Sequence, residues 1–350
     1  MAPYQTTYLR SHQQELAEKI VAQQYQRQSQ LGQPYDERHR QISLRDTVYH
    51  LTYLAEAVEA NDPRLFGEYL AWVKVLFANL NFPDHVLPTM LACMRQILTE
   101  ELPLAEKEAA LKILDVSTQS LDEMPLTLDS FIQGDGPLDV LARQFLDTVR
   151  RADRRTAGQM ILDAVRDGTS VKTIYMQVFQ RTQREIGRLW QTNQVGVAEE
   201  HFCTAATQMI MSQLYPYIFT GERKARRAVI ACVGGELHEI GARMVADFLE
   251  MSGWDTYFLG ANTPPHSILQ TVQEHQVEVL ALSATMTFHV SEVTNIISSL
   301  RSQNSLPTRV LVGGYPFNLS PDLWRKVGAD GYAMDAETAV TAADRVIATR

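Results

Sequence analysis

Three cysteines occur in the 350 residues, Cys93, Cys203 and Cys232, and none stands at CxxC spacing to another. An odd, dispersed set argues against a disulfide framework and a cysteine-bound zinc site, and it fits a reducing compartment. Long apolar runs are missing too: no stretch of about 18 apolar residues exists to span a bilayer. The opening "MAPYQTTYLRSHQQELAEK" lacks the apolar core of a secretory signal, so the expected location is the cytoplasm. Positive charge is scarce. With 32 Lys and Arg against 41 Asp and Glu, the net charge of −9 disfavours general nucleic-acid binding. The basic stretch "ERKARR" (222–227) reads as a solvated linker before a strand. The sequence also shows no repeat, low-complexity tract, phosphate loop, metal-hydrolase motif or nucleophile–base pair. Independent catalysis is therefore not expected.

What is present is a globular composition, 45% hydrophobic and 21% charged, with length for two or three domains. The expected fold class is multi-domain, α plus α/β. Residues 1–133 read as helical, with apolar density rising from Leu44 through "YHLTYLAEAV" and "LFGEYLAWVKVLF". The Gly/Pro-bearing run "LTLDSFIQGDGPLD" (126–139) reads as a linker. A four-helix bundle is expected over 137–220, with helices near 138–151, 153–167, 170–191 and 197–218. From 225 to 350 strands alternate with helices, at 228–233, 255–259, 277–283, 308–312 and 331–333. That alternation implies a doubly wound, flavodoxin-like parallel sheet.

Ligands of such a sheet bind outside the carboxyl ends of its strands. There the sequence puts His238 after the first strand, Ser283 at the end of the third, and Gly313-Gly314 at the end of the fourth. Each has an ordinary explanation as surface group, helix cap or tight turn. The helix after "ELHEIG" carries Ile240, Met244, Phe248 and Met251 on one face, the spacing of a core-facing helix.

Taken together, Glu236, His238 and Gly241 in "ELHEIG", then Ser283, then Gly313 and Gly314, resemble the cobalamin-binding domain of methionine synthase, corrinoid methyl carriers and light-responsive cobalamin repressors. The resemblance implies His238 as lower cobalt ligand in place of the vitamin's benzimidazole. It also implies that the displaced tail threads past the serine and glycines. Two departures stand out: Glu236 replaces the usual Asp, and Ser283-Ala284-Thr285 replaces Ser-any-Leu. A hydrogen bond from Glu236 to His238 is expected to fix the imidazole tautomer.

In "GRLWQTNQVGVAEEHF", Trp190 is followed by nine residues and then Glu200-His201. This resembles the motif of cobalamin photoreceptors, where these side chains surround an adenosyl upper ligand. The likeness covers about residues 137–345. The N-terminal module lacks a winged helix and is similar in texture to that of photocobilins, which also bind biliverdin. Trp72, Tyr69, His50 and His85 are the candidate lining of such a bilin slot; a helical dimerisation or partner-docking module is the other reading. The leading expectation is thus a light sensor using adenosylcobalamin, with biliverdin as second chromophore and light-dependent homo-oligomer assembly. A corrinoid methyl carrier for a methyltransferase system, or a haem sensor on the same fold, are the alternatives.

Overall fold

The computed structural model describes residues 6–29, 37–119, 121–219, 222–303 and 307–348. The chain divides into two units, Met1–Thr127 and Leu128–Arg350.

In the first unit all regular structure among the described residues is helical: Thr7–Ser11, Gln13–Ser29, Glu37–Glu59, Pro63–Asn79, Val86–Glu101 and Leu104–Thr118. Local signals place the breaks. Asp62 accepts a hydrogen bond from the Arg64 backbone N–H and Pro63 occupies the first helical position, where its missing N–H costs nothing. Leu51, Leu54, Phe66, Leu70, Met94 and Leu114 are buried in this unit.

The second unit opens on the stretch read as a linker, and it is tied down rather than loose. Phe131 N–H donates to Glu185 (2.8 Å), Arg181 donates to the carbonyls of Phe131 and Gln133, and Ile132 is buried in the bundle core. Gly and Pro mark the irregular backbone correctly; the anchoring comes from helix side chains 50 residues away. Bundle helices follow at Pro137–Arg150, Arg154–Arg166 and Val197–Gln213. The long helix expected at 170–191 is interrupted. It runs Val171–Ile174, widens into a π turn at Tyr175–Phe179, and resumes as Gln180–Gln191. The last helix ends at Gln213, and Pro216 opens a separate short turn, Tyr215–Ile218.

Five parallel strands form one sheet: β1 Arg227–Cys232, β2 Asp255–Phe258, β3 Val279–Ser283, β4 Arg309–Gly313 and β5 Gly331–Tyr332. Their order is β2-β1-β3-β4-β5, so the chain reverses its direction of winding between β1 and β3. Such a switch point opens a crevice at the carboxyl ends. The helix Ile240–Met251 is buried on two faces. Ala242, Ala246 and Leu249 pack on the sheet, whereas the bulky stripe Ile240, Met244, Phe248 and Met251 packs into the bundle core with Phe179, Ile210 and Met211. The face predicted to meet the core therefore meets the bundle. Small alanines let the helix lie close on the strands. Full burial of a side chain such as Phe248 contributes about 1.5–3 kcal/mol to this joint. A buried hydrogen bond crosses the same joint, from Tyr175 Oη to Asp247 Oδ2 at 2.7 Å. The "ERKARR" stretch carries ion pairs: Arg223 with Asp255, and Lys224 and Arg226 with Asp344.

Candidate functional site

At the end of β1 the chain turns through Gly234 and Gly235. Gly235 has a φ of +81°, and its N–H donates to Asn262 Oδ1 at 2.7 Å. The turn folds Glu236 inward until its side chain is fully buried. One carboxylate oxygen accepts from His238 N (3.0 Å) and His238 Nδ1 (2.6 Å). The other accepts from Thr285 N (2.7 Å), Met286 N (3.0 Å) and His289 Nδ1 (3.0 Å). Burial alone would raise this carboxyl's pKa. The hydrogen bonds from His238 and His289 prevail and hold it well below the usual carboxylate range.

A carboxylate only accepts, so His238 must carry its proton on Nδ1, which leaves the Nε2 lone pair free. The His238 side chain is 59% exposed, so that lone pair is accessible as a donor to a metal. The hydrogen bond to Glu236 raises the imidazole's pKa, against the opposing effect of burial, and the charge of Glu200 adds to the rise. Glu200 thus acts on His238 from the bundle.

The remaining predicted residues fall along the same edge. Ser283 ends β3, paired with Cys232 on one side and Gly313 on the other, so the three strand ends are level. Gly314 has a φ of +108°, and a Cβ there would stand 2.0 Å from the Ala284 carbonyl oxygen. Only glycine lets the two loops approach this closely. Thr285 contributes its backbone N–H to Glu236, and Gly241 lies in the first turn of Ile240–Met251 with open space where a Cβ would be.

Trp190 is half-buried against the bundle core near the end of Gln180–Gln191. Glu200 and His201 lie in the first turns of Val197–Gln213, His201 Nδ1 standing 2.5 Å from Glu200 Oε2. Thr204 Oγ1 lies 2.9 Å from Glu200 Oε1 and 3.0 Å from Gln183 Oε1, so its single proton is shared between them and links the pair to the neighbouring helix. From the same helix Gln208 donates to Glu239 (2.6 Å), whose other oxygen accepts from Ala261 N. This chain of bonds ties the bundle to the sheet's loops. Sequence reasoning missed His289, Asn262 and Glu239. Each is an isolated polar residue in a loop or first turn, with no spacing that marks it before the loops are assembled.

A large flat cofactor with a metal fits this edge. Leu237, Tyr315 and Met334 follow β1, β4 and β5, and all three are exposed apolar side chains. Such a rim suits a group that covers it. Among the described residues no three His, Cys, Asp or Glu side chains converge to cage a bare ion. His238 Nε2 is the donor the protein offers, so the other ligands must come from the cofactor itself.

Residues 226–343 match the B12 binding domain family, and residues 141–215 match a second B12 binding domain model. Neither match reaches the first unit. Dimethylamine corrinoid protein 3 of Methanosarcina mazei is 28% identical over 169 residues, covering 45% of this chain and 99% of that protein. A corrinoid protein of Desulfitobacterium hafniense is 25% identical over 169 residues, covering 46% and 76%. Among solved structures, the Methanosarcina barkeri monomethylamine corrinoid protein shares the fold, with a TM-score of 0.52 and 19% identity over 58% of this chain and 96% of that one. The second unit therefore has the fold of cobalamin-binding domains.

These findings overturn the light-sensor expectation, because the relatives named above are corrinoid proteins, those of Methanosarcina named for methylamines. The physical reason is that the spacing of Trp190 and Glu200-His201 carries no information about the chemistry of a group beside them. Light-dependent assembly falls with that reading. The bilin slot is not supported either. Tyr53 and Tyr69 stack at 3.7 Å and His50 Nδ1 lies 2.8 Å from Tyr69 Oη, so these rings fill the space between them. Burial lowers the pKa of His50 to about 4. His85 stands apart from that cluster in sequence, before Val86–Glu101. Among the described residues no helix is long and apolar enough to cross a membrane.

Proposed function

We propose that a chain whose second unit is built from B12 binding domains works as a corrinoid methyl carrier, passing methyl groups between partner methyltransferases. The observation that carries this reading is His238 at the end of β1, its Nδ1 held by Glu236 and its Nε2 turned to solvent. Cobalamin, when bound, supplies a cobalt that takes up and gives up a methyl group. The protein's part is to hold and shield it. His238 would offer the lower nitrogen ligand, Glu236 holds the neutral ring's proton on Nδ1 and makes Nε2 a stronger donor, and Gly314 lets its loop close on Ala284 beside Ser283. Trp190 and the Glu200–His201 pair would shield the cobalt from the bundle side, and a small methyl group, rather than adenosyl, is the group we assign to it. The relatives named for methylamines support a methylated amine as the ultimate donor. In this reading the catalysis is assigned to the partner enzymes.

The test is methyl transfer. Cobalamin-loaded protein, chemically reduced and offered methyl iodide, is expected to take up methyl with loss of iodide and release it to a thiolate when a corrinoid-to-thiol methyltransferase is supplied. A protein that binds cobalamin yet neither accepts nor releases methyl in this assay would sink the reading.

A further inference from the structure

We infer that His289 is a positioning residue for His238, acting through the buried carboxylate of Glu236; the inference rests on His238 being the lower cobalt ligand. His289 lies in the turn Thr287–His289 after β3, 51 residues beyond His238, and it is almost fully buried. Its Nδ1 stands 3.0 Å from Glu236 Oε2, while His238 Nδ1 stands 2.6 Å from Oε1 of the same carboxylate. Glu236 thus bridges two imidazoles. An acceptor-only carboxylate requires an N–H from each of them, so both rings carry their proton on Nδ1.

The far edge of the His289 ring is confined as well. A Cβ on Gly235 would stand 2.9 Å from His289 Nε2, so the glycine turn that presents Glu236 and His238 is shaped around this ring. Phe288 closes another side, edge-on with ring centroids 4.3 Å apart. Glutamate has one more rotatable bond than aspartate and needs more anchoring to act as a fixed acceptor. The backbone N–H groups of Thr285 and Met286 supply part of that, and His289 supplies the side-chain part. Without it, Oε2 loses one of its three donors, Glu236 gains freedom, and His238 is no longer restricted to the tautomer with a free Nε2.

The experiment uses the full chain with ¹⁵N-labelled histidine, as wild type, His289→Leu (similar bulk, no donor) and His289→Asn (an N–H donor retained). In the cofactor-free protein, nitrogen NMR reads the His238 tautomer directly. Wild type and His289→Asn are expected to show Nδ1–H alone, and His289→Leu a mixture of both tautomers. In protein loaded with cob(II)alamin, electron paramagnetic resonance reads histidine nitrogen coupled to cobalt. There His289→Leu is expected to shift the equilibrium toward unligated histidine by about tenfold, the scale of lost outer-shell partners. An unmixed Nδ1–H tautomer in His289→Leu, with unchanged cobalt coupling, overturns the positioning role while leaving His238 as ligand. No histidine coupling in loaded wild type overturns the ligand assignment, and the inference with it. A tautomer mixture in both variants also overturns it, since the donor would then not be what matters.

Discussion

Glu236 Oε1 lies 2.6 Å from His238 Nδ1, although the two residues are separated by only Leu237. The contact needs Glu236 to point into the protein and His238 to point out of it. Leu237, between them, is left 71% exposed. The geometry separates the carboxylate that holds the proton from the nitrogen that is free to bind.

Removing the ring tests that division. His238→Ala is expected to abolish histidine nitrogen coupling in the cob(II)alamin-loaded protein. The cofactor-free fold should lose about 1–3 kcal/mol, because the buried Glu236 carboxylate loses one charge-assisted donor while the ring itself is mostly exposed. Resonance spectra and urea midpoints check the two halves. Retained coupling in the variant would place the ligand elsewhere.

Glu236→Gln should be costlier. An amide brings two N–H groups to a place where five donors already converge, so at least one donor is left facing another. A loss of about 3 kcal/mol or more is expected from urea unfolding at pH 7. The pH profile follows from the depressed pKa of Glu236. Its stabilisation is present above the ordinary value near 4.5 and is lost as pH falls below it. Wild type should therefore lose stability on acidification more steeply than the variant. Parallel acid titrations of the two proteins would contradict this.

Gly314→Ala tests the close approach of two loops. A left-handed backbone costs an alanine about 1–3 kcal/mol, and the clash with the Ala284 carbonyl adds to it. The expected result is a thermal midpoint several degrees lower. An unchanged midpoint would show that the loops separate without cost.

Asp247 has the opposite pH sign. Burial raises its carboxyl to about 6, from an ordinary 3.8, despite the hydrogen bond from Tyr175. The folded state therefore holds the proton more tightly than the unfolded one. That stabilisation is full below about pH 4 and disappears as pH rises through 6, a change of about 3 kcal/mol. Asp247→Asn should flatten this part of the curve, as measured by urea midpoints from pH 4 to 7. An equally steep curve in the variant would assign the dependence to another group.

Much of the architecture was legible in the chain. The period of the apolar residues located the bundle helices, and alternating strand and helix patterns located all five strands within one or two residues. His238, Ser283 and Gly313 could be assigned to one edge because each comes at the carboxyl end of its own strand, and in a parallel sheet those ends lie together. The light-sensor reading failed for a different reason: the spacing of Trp190 and Glu200-His201 suggested an upper-ligand motif, and spacing alone does not encode which group, if any, sits beside such residues. Tertiary structure alone decided three things. It turned the bulky face of Ile240–Met251 toward the bundle, anchored the 126–139 stretch on Arg181 and Glu185, and set His289 against Glu236 across 53 residues. Each of these depends on which surfaces meet after the elements form, and a hydrogen bond between distant loops leaves no periodic trace in either of them.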